Sequence, residues 1–175
     1  GKNLCLFEKL KKAIKLKSKI LITFFLTAVL FGTFSFNSYD LKKRITDKSF
    51  RYEFYTTHEN VKVKTNRFYY WFKGGAIHSS EYDYSGELLE GGYEKFYLNN
   101  QLAEKGSFKK GLKVGLWKTW HTNGAIETKQ NWKNGQKSGV FLHYNDQGEL
   151  IEKGRFQGNK KHGRWQLPHE SIRVV

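Results

Sequence analysis

Polar and apolar residues alternate along much of this chain, in short runs that are separated by glycine-containing turns. Residues 126–132 are an example, because larger and less polar side chains occupy every second position between Asn-Gly dipeptides at 123–124 and 134–135. A period of two is typical of a strand with one buried face. Asn-Gly readily adopts the positive φ that a two-residue hairpin turn requires. The pattern therefore predicts antiparallel β-hairpins.

The hairpin pattern recurs every 24 residues. The recurring positions are a glycine (Gly91, Gly115, Gly139, Gly163), a first aromatic (Tyr93, Trp117, Phe141, Trp165), a second aromatic (Phe96, Trp120, Tyr144), an aliphatic residue (Leu102, Ile126, Leu150), a third aromatic (Phe108, Trp132, Phe156) and a turn residue (Gly111, Gly135, Asn159). One hairpin is marginally stable in water, whereas hairpins stacked at a fixed period bury a continuous core. The predicted fold class is all-β, an elongated stack of antiparallel β-hairpin repeats, preceded by one N-terminal transmembrane α-helix.

The first and second aromatic of each copy are three residues apart, as in Trp117 and Trp120. In a regular strand this spacing places the two side chains on opposite faces of the sheet. We therefore expect a bulge, a bend, or aromatic contacts on both faces.

A known family shares this spacing. The pattern Gly-x-Trp-x-x-Trp-x-x-x-Gly-x-Ile that begins at Gly115, followed by Trp132 and Asn-Gly, resembles the bacterial variant of the MORN (membrane occupation and recognition nexus) repeat. The chain is most similar to the YwqK-like antitoxin family, from about residue 67 to about residue 166. The resemblance implies a β-repeat fold and a role as a scaffold, a membrane-recognition module, a substrate-docking domain or an antitoxin.

The N-terminal part has a different composition. Residues 1–19 are a basic flank with seven lysines and one glutamate, and residues 20–36 are uncharged and mostly apolar. As a helix, residues 20–36 would extend about 25 Å, close to the ~30 Å hydrocarbon core of a bilayer. We favour an uncleaved transmembrane signal anchor over a cleaved signal peptide or a buried helix. The lysines favour a cytoplasmic N-terminus, so we expect a single-pass protein of the bacterial inner membrane with periplasmic or extracytoplasmic repeats.

Residues 37–66 are predicted to form a linker and capping strands that protect the edge of the repeats. Residues 37–47 are polar and linker-like, and two short strands are expected at 50–55 and 61–64, on either side of a turn at 58–60. Residues 67–175 are assigned to the MORN-like hairpin repeats, with 67–90 as a degenerate first copy.

The sequence contains no constellation that indicates catalysis. The six histidines lack metal-ligand spacing, and no nucleophile elbow, P-loop or dinucleotide fingerprint is present. Cys5 is the single cysteine, which excludes an intrachain disulfide. Four acidic residues are interpreted as solvated strand residues: Glu81, Asp83, Glu87 and Glu90. We predict a protein that is not an enzyme, with no metal and no cofactor.

Two sets of residues are candidates for binding. The first is an aromatic stripe, a candidate partner-binding surface although each such residue is more often part of a core: Trp117, Trp120, Trp132, Tyr144, Phe156 and Trp165. The second is a basic ridge for an anionic ligand, expected if the loops after the third aromatics share one edge: Lys109, Lys110, Lys113, Lys133, Lys137, Lys160 and Lys161. The formal net charge of the chain is +15, and the part that bears the repeats is itself basic.

Three functions follow, in order of preference. The first is a membrane-anchored protein-interaction module or subunit of a bacterial envelope complex. The second, implied by the family resemblance, is an antitoxin or immunity protein that neutralises a toxin. The third is recognition of an anionic lipid, glycan or nucleic acid, with nucleic acid the least favoured of these ligands.

Overall fold

The computed structural model describes residues 42–167 and 170–174, and every regular element in these ranges is a β-strand. The strands are β1 (Lys43–Thr46), β2 (Phe50–Thr57), β3 (Tyr69–Lys73), β4 (Ala76–Ser80), β5 (Glu87–Tyr97), β6 (Leu102–Lys109), β7 (Leu112–Trp120), β8 (Ile126–Lys133), β9 (Gln136–Tyr144), β10 (Leu150–Gln157), β11 (Lys160–Leu167) and β12 (Glu170–Val174). All of them belong to one antiparallel sheet. The all-β fold class is therefore confirmed.

The predicted basic flank 1–19, the predicted transmembrane helix 20–36 and Cys5 lie outside the described residues. Within the described ranges, no helix has the length and apolar character needed to cross a membrane.

From β5 to β12 each strand pairs with the next one in sequence, as expected for consecutive hairpins. Asn134 and Gly135, in the turn between β8 and β9, both have positive φ, at 49° and 76°. These are the conformations that a tight hairpin turn requires and that Asn-Gly supplies at little cost.

The units are also joined to one another through their turns. The backbone N–H of Gly111 donates to the carbonyl of Leu89 at 2.8 Å, and Gly135 donates to Lys113 at 2.9 Å. Asn159 makes the third equivalent bond, to Lys137 at 3.1 Å. Donor and acceptor are 22 residues apart in each case, so the sequence repeat corresponds to a repeat of hydrogen bonds.

Each unit begins with a bulge at the repeated glycine. The φ angles of Gly91, Gly115, Gly139 and Gly163 lie between 69° and 72°, a region that side chains with a Cβ rarely adopt. The β6–β7 register shifts between Lys105 and Ser107, opposite Gly115. Bulges therefore recur at this glycine, before the first aromatic of each copy, and their period explains why the glycine recurs.

The N-terminal end of the sheet departs from the prediction. Residues 43–46, interpreted as linker, form β1, whereas residues 61–64 are not a strand. Strand β2 pairs with β1 on one side and with β5 on the other, where Phe54 lies opposite Tyr93.

Residues 67–90, interpreted as a degenerate first copy, do not continue the main strand order. Strands β3 and β4 form a hairpin off the main strand order, and β3 pairs with β5 only at Trp71 and Phe72. In this segment Gly75 and Ile77 stand one residue out of phase with the later copies, and a slip of one residue turns side chains to the other face of a sheet. Phe54 of β2 pairs with Tyr93 instead, and Phe72 covers Phe54 with ring centroids 5.5 Å apart.

One face of the sheet, which we call the core face, carries the aromatic clusters. In the first, Phe108 meets Trp117 edge to face at 4.9 Å and Tyr93 at 5.3 Å. In the second, Phe156 meets Trp165 edge to face at 5.2 Å. The same repeat positions build both clusters, so each unit buries one aromatic group against the sheet.

Candidate functional site

The predicted aromatic stripe is divided between the two faces of the sheet. Four of its members lie on the core face: Trp117, Trp132, Phe156 and Trp165. Trp120 and Tyr144 lie on the opposite face, which we call the outer face, because strand alternation separates Trp120 from Trp117. The expectation of aromatic contacts on both faces therefore agrees with the structure.

Two residues of the stripe are not accessible to a partner. Trp117 is 3% exposed and Trp165 is fully buried. Each indole covers a glycine on the neighbouring strand, Gly106 and Gly154 respectively, where an added Cβ would overlap the ring. These two tryptophans are core residues in this fold, so a binding role for them is corrected to a packing role.

The other four aromatics of the stripe are half-buried: Trp120, Trp132, Tyr144 and Phe156. A large ring that is partly exposed and held on a rigid strand is suited to anchor an interface. The accessible part of the predicted stripe thus consists of two residues on each face.

The hairpin of β8 and β9, which we call the middle unit, has a different core. Gln130 stands one period from both Gly106 and Gly154, is 5% exposed, and lies opposite Phe141 in the sheet. Its Nε2 donates to the carbonyls of Asn131 and Ser138, whereas its Oε1 has no hydrogen-bond partner among the described residues. The 24-residue spacing of Gly, Gln and Gly was a signal for this site that the sequence reasoning missed.

The predicted basic ridge is also divided. Lys109, Lys110, Lys133 and Lys160 lie at or beside the turns between β6 and β7, β8 and β9, and β10 and β11, which the antiparallel order places at one end of the sheet. The other three lysines extend over core-face rings. The Nζ of Lys113 is 3.8 Å from the Trp117 centroid, that of Lys161 is 4.0 Å from Trp165, and that of Lys137 is 5.0 Å from Phe156.

Two of these three lysines have an internal carboxylate partner. Lys113 pairs with Glu104 at 2.8 Å and Lys161 with Glu152 at 2.9 Å. Burial lowers the pKa of Lys113, and the neighbouring Glu104 opposes this effect. Glu104 therefore helps to keep Lys113 charged in its aromatic surroundings.

Lys137 is the exception among the three lysines. The residue that stands one period from both Glu104 and Glu152 is Thr128, whose Oγ1 lies 2.7 Å from the Oγ1 of Thr119. In the described part of the chain, Lys137 forms no ion pair. Its charge therefore lacks the internal compensation that its two equivalents have.

A cleft of about 240 Å³ opens beside Lys137 on the core face. Its lining residues are Phe68, Tyr70, Lys113, Trp132, Gly135, Lys137 and Asn159. None of them is acidic, and Phe68 is 52% exposed at the rim. The cleft thus combines aromatic walls with positive charge, as an anion with an apolar body would require.

A second cleft, of about 250 Å³, lies near the N-terminal end of the sheet and includes Tyr52 and Asp47. The Asp47 carboxylate already accepts hydrogen bonds from Ser49, Phe50 and Tyr52, which together lower its pKa. This cleft therefore offers a satisfied carboxylate and no comparable positive charge.

The outer face carries a row of lysines that the sequence reasoning missed. Lys118 lies directly between Lys105 on one neighbouring strand and Lys129 on the other. Lys105 pairs with Glu94 at 2.8 Å, but among the described residues Lys118 and Lys129 form no ion pair. Because like charges directly opposite each other destabilise a sheet, this row favours a negatively charged partner. Its residues are brought together by strand register, which bulges make difficult to predict.

Two of the acidic residues interpreted as solvated have specific partners. Glu87 accepts hydrogen bonds from Lys43 and Thr56, and these bonds lower its pKa. Glu90 accepts a hydrogen bond of 2.6 Å from the backbone N–H of Lys110. Their role is to join strands and turns, and the solvated interpretation is wrong for both.

A further buried carboxylate belongs to the same end of the sheet. Glu53 is 7% exposed and pairs with Lys42, Arg44 and Arg51 at distances between 2.6 and 2.9 Å. The hydrogen bond from Lys42 is the main reason why its pKa is lowered. This cluster ties β1 to β2 through one carboxylate that three cations share, and the Nε of Arg51 has no hydrogen-bond partner among the described residues.

Comparisons of the chain with protein-family models, with curated proteins and with solved structures find no match. Within the described residues, no group of three or more His, Cys, Asp or Glu side chains is arranged to hold a metal ion.

Proposed function

We propose that this chain is a non-enzymatic protein-interaction module, anchored in the bacterial inner membrane by residues 20–36, and that it acts as a subunit of an envelope complex. The observation that carries the proposal is the outer face, where half-buried Trp120 and Tyr144 accompany the uncompensated Lys118 and Lys129. Aromatic anchors beside unpaired charges on a rigid sheet are a combination that favours a specific protein partner.

The resemblance to the YwqK-like antitoxin family supports a second candidate, in which the protein partner is a toxin. The same surface serves both functions, because each requires a partner with acidic groups around an apolar patch. The identity of the partner distinguishes them, since a toxin would bind alone whereas envelope proteins would form a larger assembly.

A third candidate, an anionic lipid, glycan or nucleic acid, is favoured by the lysine row alone. Binding of this kind depends mainly on charge and weakens steeply as salt is added. Retention of a partner at high salt would favour the protein-interaction module over this candidate.

The proposal is tested by affinity purification of the full-length chain from its native membrane in mild detergent, with co-purifying proteins identified and quantified by mass spectrometry. We expect one or more proteins at fixed stoichiometry. Tyr144→Ala should reduce their recovery, because it removes a half-buried ring beside Lys129. The matched control is Tyr82→Ala, which removes a tyrosine that is 79% exposed and lies outside the strands.

Recovery of the chain without any partner would contradict the protein-interaction module. Equal losses with Tyr144→Ala and Tyr82→Ala would contradict the assignment of binding to the outer face.

A further inference from the structure

The strongest unexplained feature of the core face is the difference among three equivalent lysines. Lys113 and Lys161 each pair with a glutamate on the neighbouring strand, whereas the equivalent position for Lys137 in the 24-residue repeat is Thr128. The Thr128 hydroxyl is already within hydrogen-bond distance of Thr119. The middle unit therefore keeps the cation and its aromatic surroundings but lacks the anion.

The cleft beside Lys137 has a rigid floor. The Lys137 backbone N–H donates to Oδ1 of Asn159 at 2.7 Å, which fixes the start of β9. Gly135 is buried, and a Cβ there would approach Leu112 to 2.8 Å, so the turn is closely packed. The Tyr70 N–H donates to the Gly111 carbonyl at 2.8 Å and holds β3 against the neighbouring turn. A site of this kind is preorganised, which reduces the entropic cost of binding.

The charges in the cleft indicate the charge of its ligand. Glu104 compensates Lys113, so the two together contribute no net charge. Lys137 contributes one positive charge, and Arg67, whose Cδ lies against Gly135, adds a second cation beside the lining residues. A carboxylate at Lys137 would restore the arrangement found in the neighbouring units.

The aromatic residues that line the cleft indicate which chemical group the ligand carries besides its negative charge. Phe68, Tyr70 and Trp132 present ring surface to a space of about 240 Å³, enough for a side chain or a small planar group. We propose that this cleft binds a carboxylate attached to a flat apolar group, and that the carboxylate takes the position at Lys137 that Glu104 and Glu152 take beside Lys113 and Lys161. The ligand is a free small aromatic carboxylate or the C-terminal carboxylate of a bound protein whose last residue is aromatic, and the site does not depend on the function proposed above.

Calorimetric titration of the full-length protein in detergent with sodium benzoate tests this inference. Benzoate should bind, whereas benzyl alcohol and inorganic phosphate should bind about tenfold more weakly or not at all, since the first lacks the charge and the second lacks the ring. No binding of benzoate, or equal binding of all three probes, would overturn the proposal.

Thr128→Glu is the decisive variant, because it gives the middle unit the glutamate that the flanking units already carry. The new carboxylate should pair with Lys137 and weaken benzoate binding about tenfold. Lys137→Gln should weaken it to a similar extent by removing the charge. Lys133→Gln, with the same change of charge at an exposed residue of the same hairpin, should bind benzoate like the wild type.

Wild-type benzoate affinity in both Thr128→Glu and Lys137→Gln would exclude Lys137 as the charge partner. The source of the carboxylate is identified in the same preparation. Benzoate should release a co-purified protein if the natural ligand is a C-terminal carboxylate of that protein, and it should leave the complex intact if the ligand is a free carboxylate.

Discussion

The middle hairpin unit, formed by β8 and β9, differs from its two neighbours at three equivalent positions. In each neighbouring hairpin, β6–β7 and β10–β11, a glycine packs under a tryptophan in the core. Each of these hairpins also has a glutamate paired with a lysine on the core face. The middle unit combines Gln130 with Phe141, and Thr128 with Lys137. All of these units nevertheless keep the same pairing of strands and the same turn hydrogen bonds.

The comparison separates what the fold requires from what it tolerates. A larger ring needs a neighbour without a side chain, and a smaller ring leaves room for a longer neighbour, so the two positions change together. The glutamate is not required for folding, since the middle unit lacks it. Its absence from one unit therefore points to a role outside the core.

The largest expected effect comes from filling the space beneath a buried indole. Gly106→Ala places a Cβ against the ring of Trp117, which is buried and cannot move away, so we expect a loss of about 3 kcal/mol in the free energy of unfolding. Gly92→Ala is the matched control, because an added Cβ meets no atom within 4 Å there. Urea denaturation of both variants measures the difference, and similar losses would contradict tight packing at Gly106.

A smaller effect is expected from converting the middle core to the type found in its neighbours. Gln130→Gly should cost about 2 kcal/mol by leaving a cavity next to Phe141. Phe141→Trp alone should also destabilise, because the indole would overlap Gln130. The double variant should recover most of the loss, with a coupling energy of about 1–3 kcal/mol in a double-mutant cycle. If the free-energy changes of the two single variants add up to that of the double variant, the two positions are independent.

The smallest effect concerns the carboxylate partners of the flanking lysines. The Lys113 side chain is 14% exposed and that of Lys161 is 46% exposed, so Glu104→Gln should cost about 1–2 kcal/mol and Glu152→Gln less than about 1 kcal/mol. Urea denaturation at about pH 7 measures whether Glu104→Gln lowers the free energy of unfolding more than Glu152→Gln does.

The pH dependence provides a control for this last prediction. The pKa of Lys113 is lowered in the folded state by burial, and loss of Glu104 should lower it further. Between the pKa of Lys113 in the folded state and the ordinary pKa of lysine, the unfolded state binds more protons than the folded state. The free energy of unfolding therefore rises with pH in that window. The difference in the free energy of unfolding between Glu104→Gln and the wild type should therefore become smaller towards pH ~10. A difference that stays constant with pH would show that the charge of Lys113 is not its cause.

The hairpins and their period were predictable because their signals are local. Asn134 and Gly135 indicate a turn without reference to the rest of the chain, and the alternation from Ile126 to Trp132 indicates a strand. The β2–β5 pairing was not predictable in this way, because Phe54 meets Tyr93 across the intervening β3–β4 hairpin. Nothing in the sequence near residue 54 marks that contact.

The candidate site was predictable in part. The lysines and aromatics were identified, but their assignment to faces depends on bulges that change the register, as between Thr119 and Trp120. The lysine row at Lys105, Lys118 and Lys129 also depends on register. The exchange of glutamate for Thr128 was present in the repeat alignment, and only the ion pairs of its equivalents show why it matters.

The pairing of β2 with β5 has a consequence for the order of folding. Every other strand contact along the main order joins neighbours in sequence, so those hairpins form from short-range encounters. Pairing of Phe54 with Tyr93 must first enclose residues 58–86, which costs on the order of 3 kcal/mol in chain entropy if that segment is unstructured. Prior formation of the β3–β4 hairpin shortens the free loop and lowers this cost. The β3–β4 hairpin therefore assists the one long-range closure along the main strand order.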